Sequence, residues 1–162
     1  MDHLFKVGFS PEWREIDRIV AETVDFLTKR GLSSDSTSTC VMIITELVEN
    51  ALKYGKAQPA DESFGVSVEL HNGSVVVEVT NPIDASSSRH IERLDYMVQW
   101  IRGYQDPFEA YIQRLKEVAK KSLSDPESGL GLARIAYEGG SVLDFFVNES
   151  DVLNVSAMTQ LH

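Results

Sequence analysis

From Trp13 onward the apolar residues Ile16, Ile19, Val20, Val24 and Leu27 recur at intervals of three and four, the period of one helical face. Ser10-Pro11-Glu12 ahead of them reads as an N-cap with proline at the first helical position. Lys29-Arg30-Gly31 supplies a basic last turn and a glycine stop. The pattern predicts a helix over 11–30, led in by a short, partly alternating strand over 3–9. The polar stretch 33–38 then opens a second helix, in which Met42, Ile43, Leu47, Ala51 and Tyr54 mark the apolar face and Gly55 the end. Beyond it the period changes to two. Residues 64–70 and 74–80 flank His71-Asn72-Gly73, whose Asn-Gly pair is the strongest short hairpin signal. Residues 141–147 and 152–158 repeat the arrangement around Asn148-Glu149-Ser150-Asp151. Between the hairpins helical spacing returns over 89–103, 107–122 and 130–138.

Alternating strands bury one face against the apolar stripes of helices 11–30, 34–54 and 130–138. The expected fold is therefore α+β, a two-layer α/β sandwich with a mostly antiparallel sheet covered on one face by helices. With 162 residues, 43% of them hydrophobic, the chain is expected to form a single domain over 1–162 that buries roughly 70% of its unfolded surface. Such a core needs no disulfide or structural metal. The formal net charge of −10, from 15 Lys+Arg against 25 Asp+Glu, repels phosphate backbones and anionic lipid, which argues against nucleic acid or membrane as partner. The lone cysteine, Cys40, sits in the apolar run Cys40-Val41-Met42-Ile43-Ile44 and reads as a packing residue in a reducing compartment. The opening Met1-Asp2-His3-Leu4-Phe5-Lys6 lacks a leader pattern and no apolar run approaches the roughly 20 residues of a membrane span, so the expectation is cytoplasmic. His3, His71, His90 and His162 are scattered without metal-ligand spacing, and no Ser-His-Asp order appears.

The segment that carries chemistry is Thr45-Glu46-Leu47-Val48-Glu49-Asn50-Ala51-Leu52-Lys53-Tyr54-Gly55. A spacing of four sets Glu46 and Asn50 one turn apart on a single helical face, while Leu47 and Ala51 share an apolar one. An amide oxygen suits a hard, partly hydrated magnesium ion, and a carboxylate can deprotonate or orient an attacking hydroxyl. Alone, the pair is a weak signal, and a solvated helix surface is the better reading of it. About eighty residues later comes Glu127-Ser128-Gly129-Leu130-Gly131-Leu132-Ala133-Arg134-Ile135. Glycines two apart at the mouth of a helix let backbone N–H groups close on a phosphate, with the helix dipole adding favourable potential. A tight turn packed close to a sheet is the other reading of that loop taken by itself.

In this order the two segments resemble the Bergerat-fold, or GHKL, superfamily, named for gyrase, a heat-shock chaperone, histidine kinases and MutL. Glu46-Leu47-Val48-Glu49-Asn50-Ala51 looks like its N box and Ser128-Gly129-Leu130-Gly131-Leu132 like its second glycine box. The short strand and helix before the N box are most similar to bacterial anti-sigma-factor serine kinases, which phosphorylate a small antagonist protein. The resemblance implies ATP and magnesium as cofactors, Glu46 as general base, Asn50 as magnesium ligand and Lys53 as a phosphate contact. It implies nucleotide binding by Gly129, Leu130, Gly131 and Leu132. The first glycine box departs from the pattern: Val79-Thr80-Asn81-Pro82-Ile83-Asp84-Ala85 puts Asn81 at the position of the adenine-binding Asp and has no glycines. An Asn81 amide oxygen still accepts from an adenine amino group, whereas Asp84 is the poorer stand-in because Pro82 is expected to carry the chain off the strand. A degenerate domain that binds protein partners without catalysis is the competing reading. An orphan sensor histidine kinase lacks support, since 11–30 supplies one helix and no dimerisation bundle.

The ATP-lid position also departs. Ile91, Leu94, Met97, Val98 and Ile101, then Phe108, Tyr111, Ile112, Leu115, Val118 and Ala119, are spaced as two amphipathic helices, a helical insertion over 89–122. Residues 89–121 hold seven Lys+Arg and five Asp+Glu, a net of +2 that leaves −12 on the rest of the chain. Most of this apolar surface is expected to pack on the core, with a remaining edge for a homodimer or a small acidic regulatory protein.

Overall fold

The computed structural model describes residues 3–56, 64–103, 106–119 and 130–161. Along the chain run β1 (Leu4–Gly8), α1 (Glu15–Lys29), α2 (Ser34–Tyr54), β2 (Gly65–His71) and β3 (Ser74–Pro82). A 3-10 turn (Ala85–Ser87), α3 (Ser88–Arg102), α4 (Pro107–Ala119), α5 (Leu130–Glu138), β4 (Ser141–Val147) and β5 (Val152–Gln160) follow. The strands form one antiparallel sheet in the order β1-β2-β3-β5-β4. The expected two-layer α+β sandwich is the architecture found.

Local chemistry explains most boundaries. Asn72 and Gly73 both take positive φ, 28° and 87°, and link His71 to its partner Ser74. A two-residue turn of that kind matches the twist of its flanking strands. Ser33 caps α2 by accepting the Ser36 amide at 3.1 Å. The start of α1 differs from the sequence expectation. Residues 11–14 make turns closed by Glu15 N–Glu12 O (3.0 Å) and Ile16 N–Trp13 O (3.2 Å), and the helix begins at Glu15. Ser10 does not cap it by accepting an amide; its hydroxyl donates to the Glu15 carboxylate at 2.8 Å. Trp13 is exposed, so no core contact holds an earlier turn, and the buried stripe Ile19, Thr23, Phe26 and Leu27 lies wholly within the observed helix. Pro82 also differs: it ends β3 in register with Val152 rather than leaving the strand. The partner β2 already stops at Gly65 opposite Thr80, so the missing proline N–H interrupts no ladder there.

The core lies between the sheet and α2. Cys40, Ile43, Ile44, Leu47, Val48 and Ala51 form the buried face of α2, opposite the inward valines Val66, Val68, Val75, Val77 and Val79 of β2 and β3. The insertion is helical where described. Helix α3 adds Leu94, Met97, Val98 and Ile101 to the same core. Helix α4 lies on α5, where Phe108 and Tyr111 meet Tyr137 with ring centroids 5.1 and 5.4 Å apart. At the sheet edge, Arg102 of α3 donates to the Leu143 carbonyl of β4, and the Phe145 amide donates to the Asp144 carboxylate at 2.8 Å. Among the described residues no helix is long and apolar enough to cross a membrane.

Two outcomes follow from this packing. Ile43→Ala is expected to cost about 2–5 kcal/mol in urea unfolding, because the fully buried side chain leaves a cavity between α2 and the sheet, whereas Val142→Thr on the open sheet face is expected to stay within about 0.5 kcal/mol. The Cys40 thiol, pushed up to about 11 by burial, is expected to ignore thiol reagents at neutral pH and to react once the protein is unfolded.

Candidate functional site

The side of α2 adjoining its buried face carries Glu46, Asn50 and Lys53, and all three line one cavity. Its floor is the inner sheet face at Val79, Asn81, Leu153 and Val155, and its second wall is Gly131 and Leu132 at the start of α5. The N box and the second glycine box, about eighty residues apart in sequence, thus meet across a gap. Leu130 opens α5 but does not line the cavity, and Gly129 lies outside the described residues. The cavity encloses about 90 Å3.

Glu46 is held by α5. Its Oε1 accepts from Arg134 Nη1 at 3.3 Å, and Arg134 Nε donates in turn to Glu138 Oε2 at 2.8 Å. Gly131 leaves the room this needs, since a Cβ there would run into Glu46 Oε2. The absence of a side chain at Gly131 therefore admits the Glu46 carboxylate. Burial, then the negative charge of Glu49, push the Glu46 carboxyl above the usual carboxylate range, while Arg134 and Lys53 oppose the rise. A carboxylate so placed is a stronger base than an exposed one.

Asn81 is almost fully buried and its side-chain NH2 donates to the Pro82 carbonyl at 3.1 Å. That bond uses the donor end of the amide and leaves the oxygen as the acceptor available to a ligand. Asp84 is occupied otherwise: it caps the 3-10 turn by accepting from the Ser86 amide at 2.8 Å, and its bonds to Ser86 hold its carboxyl below the usual range. Among the described residues no cluster of three or more His, Cys, Asp or Glu side chains is placed to hold a metal ion. The Asn50 amide oxygen at the cavity wall is a hard donor of the type magnesium accepts when phosphates and water complete its shell, so the residues present fit that ion.

Sequence reasoning missed the contribution of α3. His90 stacks on Tyr54 with centroids 3.8 Å apart and planes 12° from parallel, and both line the cavity with Arg93. The available signal was the i, i+3 spacing of His90 and Arg93 beside the core residues Leu94 and Met97, which sets them on the side of α3 that lines the cavity. Arg134 stood inside the glycine-box segment, but its reach to Glu46 exists only once α5 packs on α2.

No family model matches the sequence, and no curated protein matches it. Solved structures do match in fold. A structure containing the RsbU and RsbW domains of Rv1364c from Mycobacterium tuberculosis aligns with a TM-score of 0.58 at 12% identity over 98% of this chain, which spans only 32% of that one. A chain of the SiaB–SiaC complex from Pseudomonas aeruginosa aligns with a TM-score of 0.69 at 19% identity, covering 96% of this chain and 87% of that one. The two-layer α+β arrangement expected from the sequence is thus shared with these structures as a fold.

Gly131→Ala tests the close approach of the two boxes. Oε2 is the end of a flexible side chain and alanine is favoured over glycine in a helix by roughly 0.5–1 kcal/mol, so the melting temperature is expected to change little. The displaced Glu46 carboxylate is expected to move toward water and titrate closer to the ordinary range, as read by carbon NMR of its carboxyl group.

Proposed function

We propose that this chain is a magnesium- and ATP-dependent serine/threonine protein kinase of the anti-sigma-factor kind, acting on a small antagonist protein in partner-switching signalling. The observation that carries the reading is the meeting of Glu46 and Asn50 with Gly131 and Leu132 across one cavity. The fold shared with the structure of the RsbU and RsbW domains of Rv1364c and with that of the SiaB–SiaC complex supports the partner-switching setting.

Each residue has a role that its chemistry permits. The backbone N–H groups opening α5 and the Lys53 ammonium face the phosphates, Asn50 donates its oxygen to magnesium, and the Asn81 oxygen accepts from the adenine amino group. Magnesium held by Asn50 would supply neutralisation of the phosphate charge. Glu46 takes the proton from the acceptor Ser or Thr hydroxyl as its oxygen bonds to the γ-phosphorus; ADP departs and the proton passes from Glu46 to solvent. Homodimerisation through the exposed edge of α4 belongs to the same proposal; Phe108 and Leu115 are its exposed apolar residues.

At about 90 Å3 the cavity is smaller than the roughly 300–1,000 Å3 of typical small-molecule sites. His90, Arg93 and Met97 of α3 narrow it on one side. The same closure, with the uncharged Asn81, favours a second reading: a degenerate domain that binds protein partners with weak or no nucleotide binding.

Calorimetric titration with magnesium and a nonhydrolysable ATP analogue separates the two. The kinase reading expects weak, magnesium-dependent binding, because losing one charge-assisted hydrogen bond costs about 1.5–3 kcal/mol, roughly tenfold to a hundredfold in affinity. Glu46→Gln is expected to retain that binding and abolish phosphate transfer, and Asn50→Ala to weaken the magnesium-dependent binding itself. Absence of heat and of thermal shift at millimolar ligand would favour the protein-binding module.

A further inference from the structure

The described residues place both oxygens of the Glu46 carboxylate against α5. Oε1 bonds to Arg134 and Oε2 lies over Gly131. Arg134 is itself tied one turn further along by Glu138, so its guanidinium spans two carboxylates, with Nη1 on Glu46 at 3.3 Å and Nε on Glu138 at 2.8 Å. Glu49 and Lys53 are the other charged groups acting on Glu46 from α2 itself, and Arg93 stands across the cavity on α3. Among the described residues Oε2 accepts no hydrogen bond. The oxygen over Gly131 is therefore the one without a hydrogen bond, while its twin is anchored.

We propose that Arg134 is a positioning residue for Glu46: its planar fork, braced by Glu138, fixes the carboxylate across Gly131 so that Oε2 is presented to the hydroxyl of the phospho-acceptor. The inference rests on the kinase reading and adds to it a residue without contact to nucleotide or acceptor. A glutamate side chain has three rotatable bonds, and one anchored oxygen removes most of the alternatives before substrate arrives. Lysine carries the charge but offers a single ammonium in place of a fork, so it can hold Glu46 or Glu138 but engages both poorly. Glu138→Gln weakens the brace and leaves the direct contact in place.

The test compares wild type with Arg134→Met, Arg134→Lys and Glu138→Gln, all checked for unchanged melting and circular dichroism. Two readouts are taken: the Glu46 carboxyl carbon resonance without nucleotide, and steady-state phosphate transfer to the protein acceptor alongside calorimetric affinity for the magnesium–ATP analogue. Arg134→Met is expected to shift the Glu46 resonance and lower kcat by about tenfold or more, with nucleotide affinity within about twofold of wild type; Arg134→Lys is expected to recover part of both, and Glu138→Gln to show a smaller loss. An unmoved Glu46 resonance overturns the proposal, whatever the activity. A loss of nucleotide affinity in step with rate also overturns it, since Arg134 would then be a phosphate contact. If the resonance moves but wild type transfers no phosphate to any protein, the kinase reading itself falls and takes the catalytic role of Arg134 with it.

Discussion

The seating of α2 on the valines of the sheet is the interaction from which the rest of the molecule follows. Ile43, Ile44, Leu47, Val48 and Ala51 are buried on one side of that helix, and Glu46, Asn50 and Lys53 are interleaved with them on the adjoining side. The 3.6-residue period leaves no freedom between the two sets. Whatever fixes the rotation of α2 on the sheet also fixes the direction in which the carboxylate and the amide point. Core packing and site geometry are one constraint here, and a slip of one residue would send Glu46 into the valines.

The electrostatics of the site come from a balance in a strongly acidic chain. All of the net negative charge lies outside the insertion, while Lys53 and Arg93 line the cavity and Arg134 stands beside Glu46. Burial and Glu49 favour a neutral Glu46, and the two cations Arg134 and Lys53 favour a charged one. The net effect of these opposed influences is a carboxyl held above the usual carboxylate range. The cationic lining also suits an anionic ligand within a protein that otherwise repels one.

What the sequence revealed tracks what is local. The Asn72-Gly73 hairpin, the Ser33 cap and the apolar period of α2 depend on neighbours a few residues away, and each was readable. The juxtaposition of Glu46 and Asn50 with Gly131 is not local, yet it was legible because two short patterns in a fixed order carry it. Two further features needed the assembled fold. The start of α1 is set by where core contacts begin at Ile16 and Ile19, not by the Ser10-Pro11 signal, which placed the helix four residues early. His90, among the scattered histidines, found its partner Tyr54 only when α3 docked beside α2, and nothing in linear spacing encodes a stack between residues thirty-six positions apart.

The exposed margin of β4 has a consequence outside the site. Ser-Val-Leu-Asp-Phe-Phe-Val is rich in strand-forming residues and stands at the end of the sheet, the arrangement most prone to recruit another chain and grow into aggregates. Two of its outward backbone groups are already spoken for, the Leu143 carbonyl by Arg102 and the Phe145 amide by Asp144, and these two side chains lie 3.8 Å apart as an ion pair. An incoming strand would have to displace both before it could zip onto the sheet. The helix that walls the cavity thus also guards the solubility of the protein, so sequence changes that detach α3 would expose the chain to fibrillar self-association as well as opening the site.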